Sequence, residues 1–324
     1  MNGLGDWVQP AWTALTTALA QRRLHHALLF AGPAGLGKRA LAEAFAAAAL
    51  CERVDVQQGA CGQCRACLLR AAGSHPDLVR VGLELRDDGK QRSEITIDQM
   101  RALSQRLALS SQFGGWQLAL IDPADRLNAS AANALLKTLE EPATATVIVL
   151  LADEPARLPA TIRSRCQRID LPAPSAAAAL DWLKTQGVEA ALAQEALAAS
   201  LGNPGLALDW IRDSNLALRE ACARDLAAFE RGQRQAQELA EQWSQDRPAE
   251  RLWFAAVIAR DEARKRALTA TPSLTARGEI PKLVAWFGHA NRARGLLSTT
   301  LRIDLLLLDL LRTWPRRDES RQRG

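Results

Sequence analysis

Apolar positions in this chain change their spacing from stretch to stretch, and each change marks an element. Trp12, Leu15 and Leu19 recur at helical intervals within Trp7–Gln21 and predict an N-terminal helix with one buried face. The unbroken run Ala27–Ala31 predicts a buried strand, followed by GPAGLGKR and a helical stretch at Ala40–Leu50. Leu78–Val81 reads as a second strand, and the charged stretch Glu84–Glu94 as a surface loop. Ile97, Met100, Leu103 and Leu107 share a helical face, with Asp98 near the helix start, where a carboxylate suits the dipole. Leu118–Ile121 is a third apolar strand, ending at Asp122. Ala132, Leu135, Leu136 and Leu139 then form the stripe of a helix that Asn128 or Ser130 can cap and Pro142 ends. Thr146–Leu151 is another apolar strand. Strands that are apolar throughout and alternate with helices imply a parallel sheet covered on both faces.

The pattern changes after Ile169–Ser175, where the end of a last strand, two prolines and a capping serine mark a linker. Helical stretches at 176–185, 189–201 and 205–212 predict a small lid domain. From Leu216 onward only helices are read, among them 216–232, 251–268 and 301–314. The expected division is 1–170, 171–212 and 213–324.

Composition narrows the function classes. The chain has 324 residues and 48% hydrophobic content, enough for two or three folded domains. MNGLGDW lacks the pattern of a secretory signal, and no apolar run approaches the roughly 20 residues of a membrane helix, so a cytoplasmic location with no membrane partner is expected. The net charge of +5 permits work on nucleic acid, although part of it sits in the closing WPRRDESRQRG, read as a solvated tail. Of six cysteines, Cys51, Cys61, Cys64 and Cys67 lie close together. Four thiolates at this spacing suit a closed tetrahedral site, so structural zinc is preferred over a disulfide framework or unligated thiols.

Two motifs carry nucleotide chemistry. Gly32, Gly35, Gly37 and Lys38 have P-loop spacing between a strand and a helix, which aims backbone amides and a helix N-terminus at phosphates. Arg39 stands where a hydroxyl would ligate magnesium, so the loop either binds ATP or keeps its turn for structural reasons. Asp122 is placed to offer a carboxylate to a metal, but Pro123 occupies the position of the acid that would polarise water. His25, His26 and His75 have no cluster of partners and are read as packing or capping residues.

The stretches RLHHALLFAGPAGLGK, SHPDL, IDPADRLN, AANALLKTLEEP and SRC, with the four-cysteine module, resemble the bacterial DNA polymerase III clamp-loader family, and more narrowly its delta-prime branch. The resemblance covers about the first 170 residues. It implies an AAA+ P-loop-type α/β domain with a zinc module, a helical lid and an all-α collar. It also implies a hetero-pentamer with tau/gamma and delta subunits that acts on a sliding clamp and primed DNA. In this family the Arg of SRC reaches a neighbour's ATP site, so Arg165 is the expected arginine finger. Ala152 and Asp153 stand where active members carry a sensor, and Gly202-Asn203-Pro204-Gly205 lacks the Arg of their second sensor. Together with Arg39 and Pro123, these departures imply no ATPase activity of its own. An active ATPase subunit of the tau/gamma kind is the alternative, and a free-standing zinc-stabilised nucleic-acid-binding ATPase is a third reading.

Overall fold

The computed structural model describes residues 4–55, 59–86, 88–269, 276–297 and 301–315. The first residues of MNGLGDW, Asp87 of the expected surface loop and the tail beyond Pro315 lie outside them. Contacts divide the chain into two compact units, one of Met1–Ala193 with Gly202–Leu206, the other of Gln194–Leu201 with Ala207–Gly324.

The first unit is built on five parallel strands: β1 (Ala27–Ala31), β2 (Leu78–Val81), β3 (Gln117–Ile121), β4 (Thr146–Ala152) and β5 (Gln167–Asp170). Their order is β2-β3-β4-β1-β5. In register, Leu29 of β1 lies opposite Leu150 on one side and Arg168 on the other. The helices here are α1 (Gln9–Ala20), α2 (Lys38–Leu50), α3 (Arg65–Ala71), α4 (Ile97–Leu107), α5 (Ala129–Glu140), α6 (Ala160–Arg163) and α7 (Ala176–Thr185).

Alternation along the strands decides what each sheet face covers. Leu28, Phe30, Leu118, Leu120, Val147 and Val149 pack with Trp12 and Leu15 of α1 and Leu41 and Phe45 of α2. The residues between them, Ala27, Leu29, Ala119, Ile121, Ile148 and Leu150, pack with Met100 and Leu103 of α4 and Leu135 and Leu139 of α5. Each fully buried large side chain contributes about 1.5–3 kcal/mol, and this two-sided burial holds the edge on which the site is built.

Local signals fix the helix ends. Thr96 and Gln99 form a capping box at α4. Asn128 Oδ1 accepts the Ala131 N–H at 2.8 Å at the start of α5. Asn128→Ala should therefore cost about 1 kcal/mol, read as a lower urea midpoint at unchanged slope.

The chain continues through α8 (Ala190–Ala199) and α9 (Pro204–Arg212) to α10 (Leu216–Glu230), α11 (Ala236–Gln245), α12 (Pro248–Thr269), α13 (Ala276–Leu296) and α14 (Ile303–Arg312). The α/β class followed by an all-helical part is borne out. In the second unit a half-buried Asp225 accepts from Trp243 Nε1 at 2.9 Å and pairs with Arg234 at 2.7 Å, while Arg251, 5% exposed, pairs with Asp246 at 2.5 Å. Leu307, Leu310 and Leu311 of α14 are buried, and Trp286 Nε1 donates to Leu310 O at 2.9 Å. Leu305 of the same helix is 53% exposed. Among the described residues no helix is long and apolar enough to cross a membrane.

Candidate functional site

The carboxyl ends of β1, β3 and β4 meet at one edge of the sheet, where an open α/β fold positions ligands. β1 delivers the glycine loop to it. Gly37 takes φ 91° and starts α2 with no side-chain cap, leaving first-turn amides without intrahelical acceptors. Lys38 has 6% of its side chain exposed. Its Nζ donates to the carbonyls of Gly32 at 2.5 Å and Pro33 at 2.8 Å, and pairs with Asp153 at 2.6 Å. The segment Asn203–Leu206 lies against the loop: Asn203 Nδ2 donates to Ala34 O at 2.7 Å and the Gly205 N–H to Gly35 O at 3.2 Å. A Cβ at Gly35 would collide with Asn203, and one at Gly205 with the Gly35 backbone, so both positions depend on glycine. Trp7 Nε1 donates to Leu36 O at 3.0 Å.

Arg39 Nε donates to Asp122 Oδ2. That hydrogen bond raises the Arg39 pKa above its ordinary value. Arg80 grips Glu43 through two bonds, at 2.7 and 2.8 Å, and holds the Glu43 carboxyl below its usual range. Arg39, Glu43, Arg80, Gln91 and Asp122 line a cleft of about 310 Å³ beside the loop. Pro123 follows Asp122 through a cis peptide bond. A divalent cation does not fit these residues, because Arg39 offers no oxygen and the Asp122 carboxylate is already engaged by a guanidinium. At about 4 Å a dication and a guanidinium repel by about 2 kcal/mol even in bulk water, and more at a protein surface.

Arg165 lies just beyond α6. Its Nη2 pairs with Glu140 at 2.6 Å and its Nη1 donates to Thr161 O at 2.9 Å. The pair joins the SRC motif to the end of the LLKTLEEP helix. With 37% of its side chain exposed, Arg165 is held by its own chain yet open to an approaching group. Burial pushes the neighbouring Cys166 thiol up to about 11.

The four clustered cysteines come from separate elements: Cys51 follows α2, Cys64 caps α3, Cys67 lies in its first turn and Cys61 sits in the loop between. All four sulfurs lie within 4.8 Å of one another. Cys51 and Cys64 sulfurs are 3.9 Å apart, close to the roughly 3.8 Å edge of a tetrahedron with metal–sulfur bonds of about 2.3 Å. The N–H groups of Arg53 and Cys61 point at Cys51 Sγ, both at 3.3 Å. Backbone N–H groups of Gln63 and Cys64 lower the Cys61 thiol to about 6, whereas burial raises Cys67 to about 12. These cysteines could hold a metal ion.

Comparison with known proteins adds the relationship. Residues 8–175 match the family model described as DNA polymerase III, delta subunit. The chain is 44% identical over 207 residues to DNA polymerase III subunit delta' of Pseudomonas aeruginosa, covering 63% of this chain and 60% of that one. It is 37% identical over 234 residues to subunit delta' of Haemophilus influenzae, covering 71% and 68%. This chain belongs to the DNA polymerase III delta-prime family. Similarity to subunit tau of Bacillus subtilis, at 36% identity, covers 48% of this chain and 26% of that one.

Within this delta-prime family chain the structure brings Gly32, Gly35, Gly37, Lys38, Arg39, Asp122 and Asp153 to one sheet edge. It places Arg165 on Glu140 and the cysteines in a separate cluster. Sequence reasoning missed two supporting residues. Asp125 Oδ2 accepts the N–H groups of Asp153 at 3.1 Å and Glu154 at 2.7 Å, fixing the turn after β4. The buried Asp77 accepts from Ser111 Oγ at 2.9 Å, Gln112 N at 2.9 Å and Phe113 N at 3.0 Å. This places Phe113 under the Arg65 guanidinium of the cysteine module. Their partners lie 28 to 36 residues away, so no local spacing announces them. His75, its ring tilted against Phe113 at 4.9 Å, accepts the Asp77 N–H at 3.1 Å, and burial lowers its pKa. His26 Nε2 lies 2.9 Å from Leu139 O, a packing role like that expected.

Proposed function

We propose that this chain is the delta-prime subunit of a DNA polymerase III clamp loader, supplying Arg165 in trans to a neighbouring ATPase and hydrolysing no ATP itself. The Arg39–Asp122 pair carries this reading: the carboxylate that would serve a metal is held by a guanidinium, and Pro123 follows it in place of an acid. Arg165, outside that site, keeps a partly exposed guanidinium on a surface ion pair. The resulting protein is an interaction subunit of a hetero-pentamer with tau/gamma and delta subunits, reaching primed DNA and the sliding clamp through the complex. ATP held by Gly32, Gly35, Gly37 and Lys38 would be a static ligand. The cysteine cluster would take structural zinc, leaving no position for a catalytic water. Residues 1–170 would form the AAA+ part, 171–212 the lid, and 213–324 the collar that assembles with sister subunits.

The purified chain should release no phosphate from ATP above the blank, with or without primed DNA. Turnover that disappears in Lys38→Ala would remove this reading in favour of an active tau/gamma-like subunit. Tight DNA binding by the isolated chain would favour the free-standing alternative.

A further inference from the structure

A working P-loop takes its nucleotide with magnesium, held by the hydroxyl after the loop lysine and by a strand-end carboxylate. Here Arg39 replaces the hydroxyl and bonds to the carboxylate, Asp122. Glu43, the other acid lining the adjoining cleft among the described residues, is gripped by Arg80 through two bonds, at 2.7 and 2.8 Å, and lies 3.8 Å from Arg70. Among the described residues no serine or threonine lines that cleft. Both of its carboxylates are already matched by guanidinium groups, and a dication would have to displace them while lying beside their positive charge. The phosphate side differs: Lys38 and the start of α2 remain, with Lys38 balanced by Asp153.

We propose that the Arg39 guanidinium takes the metal's place at Asp122, so that a nucleoside diphosphate or triphosphate on this loop is bound without a divalent cation. This rests on the reading that the loop retains nucleotide. Arg39 serves as a fixed monovalent counter-charge, and no bond to the nucleotide is made or broken. Its side chain is 78% exposed, so a substitution there leaves the core untouched.

The test is titration of the full chain with a fluorescent ADP analogue, N-methylanthraniloyl-ADP, in EDTA and in millimolar magnesium. The wild-type affinity should agree between the two within about twofold, whereas Arg39→Ser, which restores a hydroxyl and frees Asp122, should bind about tenfold more tightly with magnesium than in EDTA. Wild-type binding lost in EDTA would overturn the inference and leave the nucleotide reading standing. Indifference to magnesium in Arg39→Ser would show that Arg39 is not what excludes the metal, and would overturn it too. No binding in either buffer would overturn both.

Discussion

Arg165→Ala, introduced into a reconstituted loader, is expected to slow ATP cleavage at the neighbouring subunit's site by about a thousandfold. The factor corresponds to about 4 kcal/mol of transition-state stabilisation, a reasonable amount for a planar guanidinium set against charge developing on a transferring phosphoryl group. Arg165 must first leave Glu140, and magnitudes show that this is no obstacle. The two side chains are 37% and 50% exposed, and an ion pair so open to solvent contributes about 0–1 kcal/mol. Releasing it costs far less than the finger returns. Glu140→Ala should accordingly change the neighbour's rate by less than about fivefold, while Arg165→Ala in the isolated chain should leave the melting curve nearly unchanged. Single-turnover hydrolysis in the assembled complex measures the first effect and thermal unfolding the second.

Removing a metal held by the cysteine cluster would have the other large effect. Among the described residues the cluster around the sulfurs includes only small or single apolar partners, Ala60, Ala66 and Phe113, too little buried surface to hold the loop and α3 in place unaided. Metal binding to four thiolates is worth about 10–16 kcal/mol in small zinc modules, and here that energy would be folding energy for the cysteine module. Chelation, or Cys64→Ser, is therefore expected to release about one zinc ion per chain and raise amide exchange across residues 60–71 by orders of magnitude, with the sheet far less affected. Elemental analysis and hydrogen exchange on the same samples check both parts. A zinc content far below one ion in reduced, unchelated protein would remove the assignment.

Much of the first unit was legible because its signals are local. Ala27–Ala31 and Leu118–Ile121 are apolar at every position, and the strands appear where those runs lie, although β3 begins one residue earlier, at Gln117. Gln117 pairs with Thr146 in the ladder, and its buried side-chain amide donates to Leu109 O at 2.7 Å, a partner invisible to periodicity. α2 starts at Lys38 rather than Ala40 because Gly37, at φ 91°, closes the loop immediately before it. The second unit was harder to read. α13 contains Pro281, a residue that reads as a breaker, and α11 buries only Leu239, Ala240 and Trp243, a stripe too short to stand out.

The site shows the same contrast. Arg39 and Pro123 could be recognised as departures from their positions in the motif alone. That Arg39 bonds to Asp122, 83 residues away, and Lys38 to Asp153 depends on β1, β3 and β4 ending at one edge, which no local pattern records. The sequence suggested parts missing from a hydrolytic site. The structure adds that the charges left behind compensate one another, while Arg165 lies on a surface ion pair that little energy would open.

The most direct test of an outward-facing function is single-turnover ATP hydrolysis by the loader reconstituted with wild-type chain, Arg165→Ala and, as a control for surface charge, Arg163→Ala. Arg163 is exposed and immediately precedes the motif. All three should assemble, and only Arg165→Ala should lose about a thousandfold at the neighbouring site. Full turnover and clamp loading by an intact complex carrying Arg165→Ala would contradict the account.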